Sequence, residues 1–384
     1  TINSENRNTQ PTSDSSKIVM QFNFSADSAF SFLQKQCDFG PRIPNTPAHV
    51  ACAAYLEDKL SEYGALVTLQ KFDAKAYNGE ILHSTNIIAQ INPSHPKRIA
   101  LFAHWDSRPY CDNDAEVNWM SPVLGANDGA SGVAVLLELA RIWQQKAPSV
   151  GVDVVLFDSE DYGTPAFVQS DSEDTWCLGS QYWGAKKPYS VKPIYGVLFN
   201  MVGGVNPNFG YDVISQQFAP EILAKVWSVA HSLGYSQTFV SKTSGSIVDD
   251  HYYVNILTGI PTIDIIDFSP NRGFPSTWHT IYDTPQNIDK ESLKMVGNVL
   301  ELLINLSKTL NKETVFEGVE TKEQRDFLKS IDCDQAQRRT AVNQYVVIVL
   351  NHGRKHVQHN PFAVAAVQHL YFRPDKVNVT GDYI

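Results

Sequence analysis

The chain has 384 residues, 43% apolar and 19% charged, which excludes a disordered polymer, a collagen and a cysteine-stapled mini-protein. It holds no stretch near the ~18 consecutive apolar residues that a membrane helix needs. Lys and Arg number 31 against 41 Asp and Glu, a formal net charge of −10, which argues against a general nucleic-acid binder, since that needs a basic face.

Residues 1–17 (TINSENRNTQPTSDSSK) are almost wholly polar. They read as a flexible tether of the kind found behind a removed export signal, so the expectation is an exported protein. A lipid anchor stays open; a transmembrane segment does not. Ser25 or Asp27 can cap a helix carrying Phe30, Phe32 and Leu33. Residues 47–63 predict a second helix with Val50, Ala54, Leu56 and Leu60 on its apolar face, ended by Gly64. Short apolar runs at 98–103, 152–157, 194–199 and 262–266 predict strands, and 132–144, 220–233 and 293–310 predict helices. Strands alternating with helices of this length imply βαβ units and a mostly parallel sheet covered on both faces.

After residue 310 the pattern changes. Residues 311–384 hold 10 basic and 9 acidic residues, so the acidic surplus lies in residues 1–310. This tail reads as appended, with an apolar run at 345–350 and a helix over 361–370. His352, His356 and His359 would share one side of a helix, but Gly353 and Pro361 oppose that helix, and the segment reads as solvated. The five cysteines (37, 52, 111, 177 and 333) form no CxxC, and an odd count leaves at least one unpaired.

In an open α/β sheet, ligands bind beyond the carboxyl ends of the strands. The chemically rich segments fall there: His104 and Asp106 in AHWDS, Glu160 and Asp161 in LFDSEDYG, Asn200 in GVLFNMVGG, and His279 in STWHTIYDT. Asp249, Asp250 and His251 lie together in SIVDDHYYV, and Asp128 opens the central helix from the glycine-rich turn GANDGASG. Each has an ordinary structural explanation, as a helix cap, a dipole partner or a satisfied core histidine. Several on separate strand ends are the ingredients of a catalytic zinc site with N and O donors.

The strings GANDGASGVAVLLELAR, AHWDSRPY, LFDSEDYG, CLGSQYW, DDHYYV, GIPTIDII and FPSTWHTIYDT resemble the bacterial type of glutaminyl cyclase (glutaminyl-peptide cyclotransferase), a family that shares its fold with the zinc aminopeptidases. The resemblance covers residues 18–310 and implies a three-layer α/β/α sandwich around a mixed, largely parallel sheet. It implies one zinc ion held by Asp128, Asp161 and His279, Glu160 as general acid and base, and Asp249 in a proton-relay network. Trp278 and Phe274 would line the pocket for the glutamine side chain. His104 would be the remnant of a second metal site, oriented by Asp106, and Asp250 and His251 would hold their loop. The implied substrates are peptides and proteins with N-terminal glutamine, and the bacterial character of the motifs implies that the exported protein is periplasmic or attached to the cell envelope.

The chain departs from the family at Asn200, where the resemblance implies an aspartate. In two-metal peptidases that aspartate binds the second metal, and a neutral amide is a poor zinc ligand. The expectation is retained metal binding with weakened catalysis. The alternatives are a zinc aminopeptidase and a catalytically degraded paralogue that binds peptides. Trp105, Trp176 and Trp183 are read as packing residues.

Overall fold

A computed structural model describes residues 22–169 and 174–309, with four short strands between 315 and 359. α1 (Ala26–Asp38) starts at Ser25, whose hydroxyl accepts the Ser28 N–H at 3.2 Å, so Ser25 and not Asp27 is the cap. α2 (Pro47–Glu62) buries His49, Cys52, Leu56 and Leu60. The expected face was partly wrong, because Val50 is 66% exposed. Residues three and four apart share a helix face, so stepping back from Leu60 and Leu56 reaches Cys52 and His49 and leaves Val50 and Ala54 off the stripe.

A hairpin follows, β1 (Leu66–Lys75) and β2 (Ile81–Ile91), which the apolar runs did not reveal. β1 is mostly exposed or half-buried, so it carries no apolar run; the usable signal was Asn78-Gly79 in its turn. Then come β3 (Arg98–His104), α3 (Ala130–Gln145), β4 (Gly151–Phe157), α4 (Leu178–Lys186), β5 (Gly196–Asn200) and β6 (Phe209–Asp212). They are followed by α5 (Val213–Phe218), α6 (Pro220–Ser232), β7 (Phe239–Gly245), α7 (Asp250–Thr258), β8 (Thr262–Ile266) and α8 (Lys290–Thr309).

The main sheet has six strands in the order β1-β2-β4-β3-β5-β8. β4, β3, β5 and β8 pair in parallel, while β2 pairs antiparallel with both β1 and β4. Alternate residues of the parallel strands feed two cores. Ile99, Leu101, Ala103, Val197 and Phe199 meet apolar residues of α1, α2, α3, α6 and α8; Ala100, Phe102 and Leu198 meet Trp183 of α4 and Val254 of α7. Helices on both faces are what make these strands apolar throughout. β6 and β7 form a small separate pair.

Beyond α8, β9 (Val315–Glu317), β10 (Gln335–Arg339), β11 (Tyr345–Val349) and β12 (Val357–His359) make a four-stranded sheet. His359 therefore ends a strand, not a helix. His352, His356 and the helix expected over 361–370 lie outside the described residues. No helix among the described residues is long and apolar enough to cross a membrane.

Candidate metal centre and active site

The site forms where the parallel strands stop. β3 runs into Trp105 and Asp106, β4 into Asp158, Ser159, Glu160 and Asp161, and β5 ends on Asn200. Asp128 stands just before α3, and His279 lies on the connection from β8 to α8. The chain turns sharply here. Ser159, Cys177, Met201 and His279 all take positive φ, between 51° and 55°, a left-handed conformation that costs a non-glycine residue about 1–3 kcal/mol and clusters at functional sites.

Gly129 sets the approach of the Asp128 turn to β3. A Cβ at Gly129 would lie 2.5 Å from the His104 carbonyl oxygen and 2.7 Å from its ring. Gly129→Ala is expected to cost about 1–3 kcal/mol through overpacking and to move Asp128 off its partners. Thermal unfolding and bound-metal content would check this together.

Asp128, Asp161 and His279 are buried, and each offers one donor atom within 4.8 Å of the others. His279 Nε2 lies 3.2 Å from Asp161 Oδ1 and 3.6 Å from Asp128 Oδ2. Asp161 Oδ2 is buried without a hydrogen-bond partner. A buried carboxylate oxygen left unpaired needs a reason, and a cation among one imidazole and two carboxylates supplies it. That donor set suits zinc.

Three residues that sequence reasoning missed hold this trio. Asp112 Oδ1 lies 3.1 Å from His279 Nδ1, which leaves Nε2 to face the two acids. Arg108 donates to Asp112 Oδ2 at 2.5 Å and to the Asp161 carbonyl at 2.9 Å. Asp283 accepts the backbone N–H groups of Asn127 at 2.7 Å and Asp128 at 3.1 Å. Asp283 was within sight, at the end of the HTIYD string. Asp112 and His279 meet only in space, 167 residues apart.

His104 stands outside the trio. Its Nε2 is 3.0 Å from Asp128 Oδ1 and 3.3 Å from Asn200 Oδ1, and its Nδ1 is 3.4 Å from Asp106 and 3.8 Å from Glu160. Burial alone would lower its pKa, but the surrounding acids Asp106, Asp128 and Glu160 outweigh burial and hold it well above the ordinary histidine value. Asp106, 3.4 Å from His104 Nδ1, also accepts the N–H groups of Glu160 and Asp161 on its two oxygens, both at 3.1 Å. Asp106 thus shapes the acidic turn as well as flanking His104.

Glu160 faces the pocket beside the trio. Burial first, then the charges of Asp249, Asp161 and Asp250 against the opposing pull of His104, push its carboxyl well above the usual range. Asn200 Nδ2 donates to Asp249 Oδ2 at 2.9 Å. Asp249 also caps α7, whose first residues are Asp250 and His251; His251 Nε2 is 2.9 Å from Asp212 Oδ2.

The pocket has a volume of about 480 Å³, with Asp128, Glu160, Asp161, Asn200, Asp249 and His279 on its lining. Phe274 and Trp278 form one wall, their rings stacked at 4.3 Å, and Trp278 stacks on His279 at 3.7 Å. Trp105 and Trp183 are buried packing residues as expected. Trp176 is not: it lines the pocket, with the Arg108 guanidinium 4.4 Å from its ring centroid.

Residues 86–304 match the model of peptidase family M28. The chain belongs to that family. This M28 protein is 50% identical to a glutaminyl cyclase from Bacteroides thetaiotaomicron solved with N-acetylhistamine, over 73% of this chain and 97% of that one, with a TM-score of 0.72. It is 46% identical to a Zn-dependent exopeptidase from Parabacteroides distasonis, over 73% and 98% of the two chains, also at a TM-score of 0.72. A glutaminyl-peptide cyclotransferase of Boiga irregularis is 26% identical over 296 residues, 68% of this chain and 76% of the relative. Membership of M28 and the donor set both point to zinc.

Proposed function

We propose that this protein is a zinc-dependent glutaminyl-peptide cyclotransferase, converting N-terminal glutamine of peptides and proteins to pyroglutamate with release of ammonia. The observation that carries the reading is the convergence of Asp128, Asp161 and His279 beside Glu160, in a pocket walled by Phe274 and Trp278. In this reading the trio holds one zinc ion. Its contribution when bound is Lewis acidity toward the side-chain amide.

The chain's own residues do the rest. Phe274 and Trp278 pack against the glutamine side chain and exclude water, and the acidic lining accepts hydrogen bonds from the substrate's neutral α-amine. Nucleophile and electrophile belong to the same residue, so holding it folded replaces the activation of a water molecule. Glu160 takes a proton from the amine as the new C–N bond forms and returns it to the nitrogen of the breaking C–N bond, which leaves as ammonia. A carboxyl raised by burial and neighbouring acids suits a group that must accept and release a proton. Asp249, fixed by the Asn200 amide, orients the amine.

Asn200 opposes the two-metal aminopeptidase reading, because a neutral amide stands beside His104 where a second zinc would need an anionic donor. In the proposal it also weakens catalysis, since an aspartate there would add charge to the network that binds the amine. Asn200→Asp is expected to raise turnover with zinc content unchanged; equal or lower steady-state turnover would refute that role. The primary test incubates the protein with a Gln-initiated peptide and a Leu-initiated control, followed by mass spectrometry. Loss of ammonia without cleavage supports the proposal, release of leucine supports the peptidase, and silence in both supports a degraded peptide binder. Export to the periplasm or envelope of a bacterium belongs to the same proposal, and cell fractionation checks it.

A further inference from the structure

Cys177 has no part in the reaction described above, yet it grips Glu160 at both ends. It is fully buried and free of any disulfide. Its N–H donates to the Glu160 carbonyl at 2.9 Å, and its thiol donates to Glu160 Oε1 at 3.3 Å. Asp249 enters the same space from the start of α7. Glu160, Cys177 and Asp249 each bring one donor atom, and these atoms lie within 4.8 Å of one another. Among the described residues only one other group meets that condition, the Asp128, Asp161 and His279 trio.

Acidic groups crowd Cys177, and His104 Nδ1, 3.8 Å from Glu160, and the Asn200 amide on Asp249 offset only part of their charge. Both carboxylate oxygens of neighbouring Asp250 are buried without a hydrogen-bond partner. Burial, and then the negative charges of Glu160, Asp250 and Asp249, push the Cys177 thiol well above its ordinary value. A divalent cation would offset this surplus, and a sulfur donor among oxygens selects a soft or borderline ion. Glu160 and Asp249 both line the pocket, which gives an ion a way in.

We propose that Glu160, Cys177 and Asp249 form a second cation site for thiophilic divalent ions such as Cd²⁺ or Zn²⁺, and that its occupancy blocks Glu160. On binding, the S–H bond gives way to a metal–sulfur bond and the proton leaves to solvent. The inhibitory half of the proposal rests on the role given to Glu160 under Proposed function; the binding half does not.

The test titrates protein loaded with one equivalent of zinc with Cd²⁺. It follows the ultraviolet thiolate-to-cadmium charge-transfer band, metal bound per chain after gel filtration, and turnover of a Gln-initiated peptide. The wild type is expected to take one further Cd²⁺, gain the band and lose turnover by about tenfold or more. Cys177→Ser and Cys177→Ala should take no further ion at that site, lack that band, and show turnover insensitive to Cd²⁺. No added ion in the wild type, or the same band and stoichiometry in both variants, overturns the site. A filled site with undiminished turnover overturns the inhibition and the catalytic role of Glu160, and leaves the metal-binding group standing.

Discussion

Glu160→Gln is expected to lower cyclisation by a factor of about 10²–10⁴, the usual contribution of a general acid–base group, while the protein keeps its bound metal. The substitution is nearly isosteric. Glutamine can still accept from the Cys177 thiol, which reaches Glu160 Oε1 at 3.3 Å, and it leaves the Asp106 grip on the Glu160 and Asp161 N–H groups intact. Glu160 is also outside the Asp128, Asp161 and His279 trio. What disappears is the ability to take a proton from the amine and hand it to the departing ammonia. The measurement is kcat and KM on a Gln-initiated peptide beside zinc content by elemental analysis. Loss of kcat with little change in KM and full metal content is the expected pattern. Full activity would remove Glu160 from the mechanism, and loss of metal would recast it as a ligand.

The legible and illegible parts of this chain divide on a physical line. β3, β4 and β8 are buried on both faces, so they stand out as apolar runs, and their carboxyl ends mark the site directly. β1 and β7 are largely exposed or half-buried and carry no such run. α7 escapes for the opposite reason. Its buried residues include Asp250, His251 and Asn255, which apolar periodicity counts as outward-facing. Tertiary hydrogen bonds to Asp212 and Thr262, not hydrophobicity, keep His251 and Asn255 inside. The site follows the same division. Residues that would touch a metal or substrate sit on strand ends and in motifs that the family resemblance covers. Arg108, Cys177 and Asp283 also fall inside those motifs, but their roles, like that of Asp112, come from contacts made in space, so periodicity carries no trace of them.

Asp161→Asn and Asp112→Asn should shift the stability of the metal-free protein in opposite directions. Asp161 is buried close to Asp128; burial first, and then the Asp128 charge against the pull of His279, raise its carboxyl above the ordinary value. A folded pKa above the unfolded one means stability present at low pH is lost as pH rises through the folded value. At neutral pH the ionised carboxylate therefore strains the metal-free fold, and a neutral asparagine relieves it. Asp112 is the reverse. Burial opposes its charge, but Arg108 and His279 outweigh burial and hold it ionised well below the usual range. Asp112→Asn removes the closer ion-pair partner of buried Arg108, a loss of about 3–5 kcal/mol when such a pair is broken, moderated because Arg108 keeps the Asp161 carboxylate at 3.5 Å and its carbonyl at 2.9 Å. With zinc the order changes. Asp161→Asn removes a donor and should forfeit the stabilisation that bound metal supplies by mass action. Asp112→Asn keeps all three donors and should weaken zinc about 10–100-fold, as loss of an outer partner does, so excess zinc restores much of its turnover. Thermal unfolding with and without chelator, beside zinc titration, reads both variants. If the two shift the metal-free protein the same way, or if Asp161→Asn keeps its zinc-dependent rise in Tm, Asp161 is a structural acid and the metal lies elsewhere.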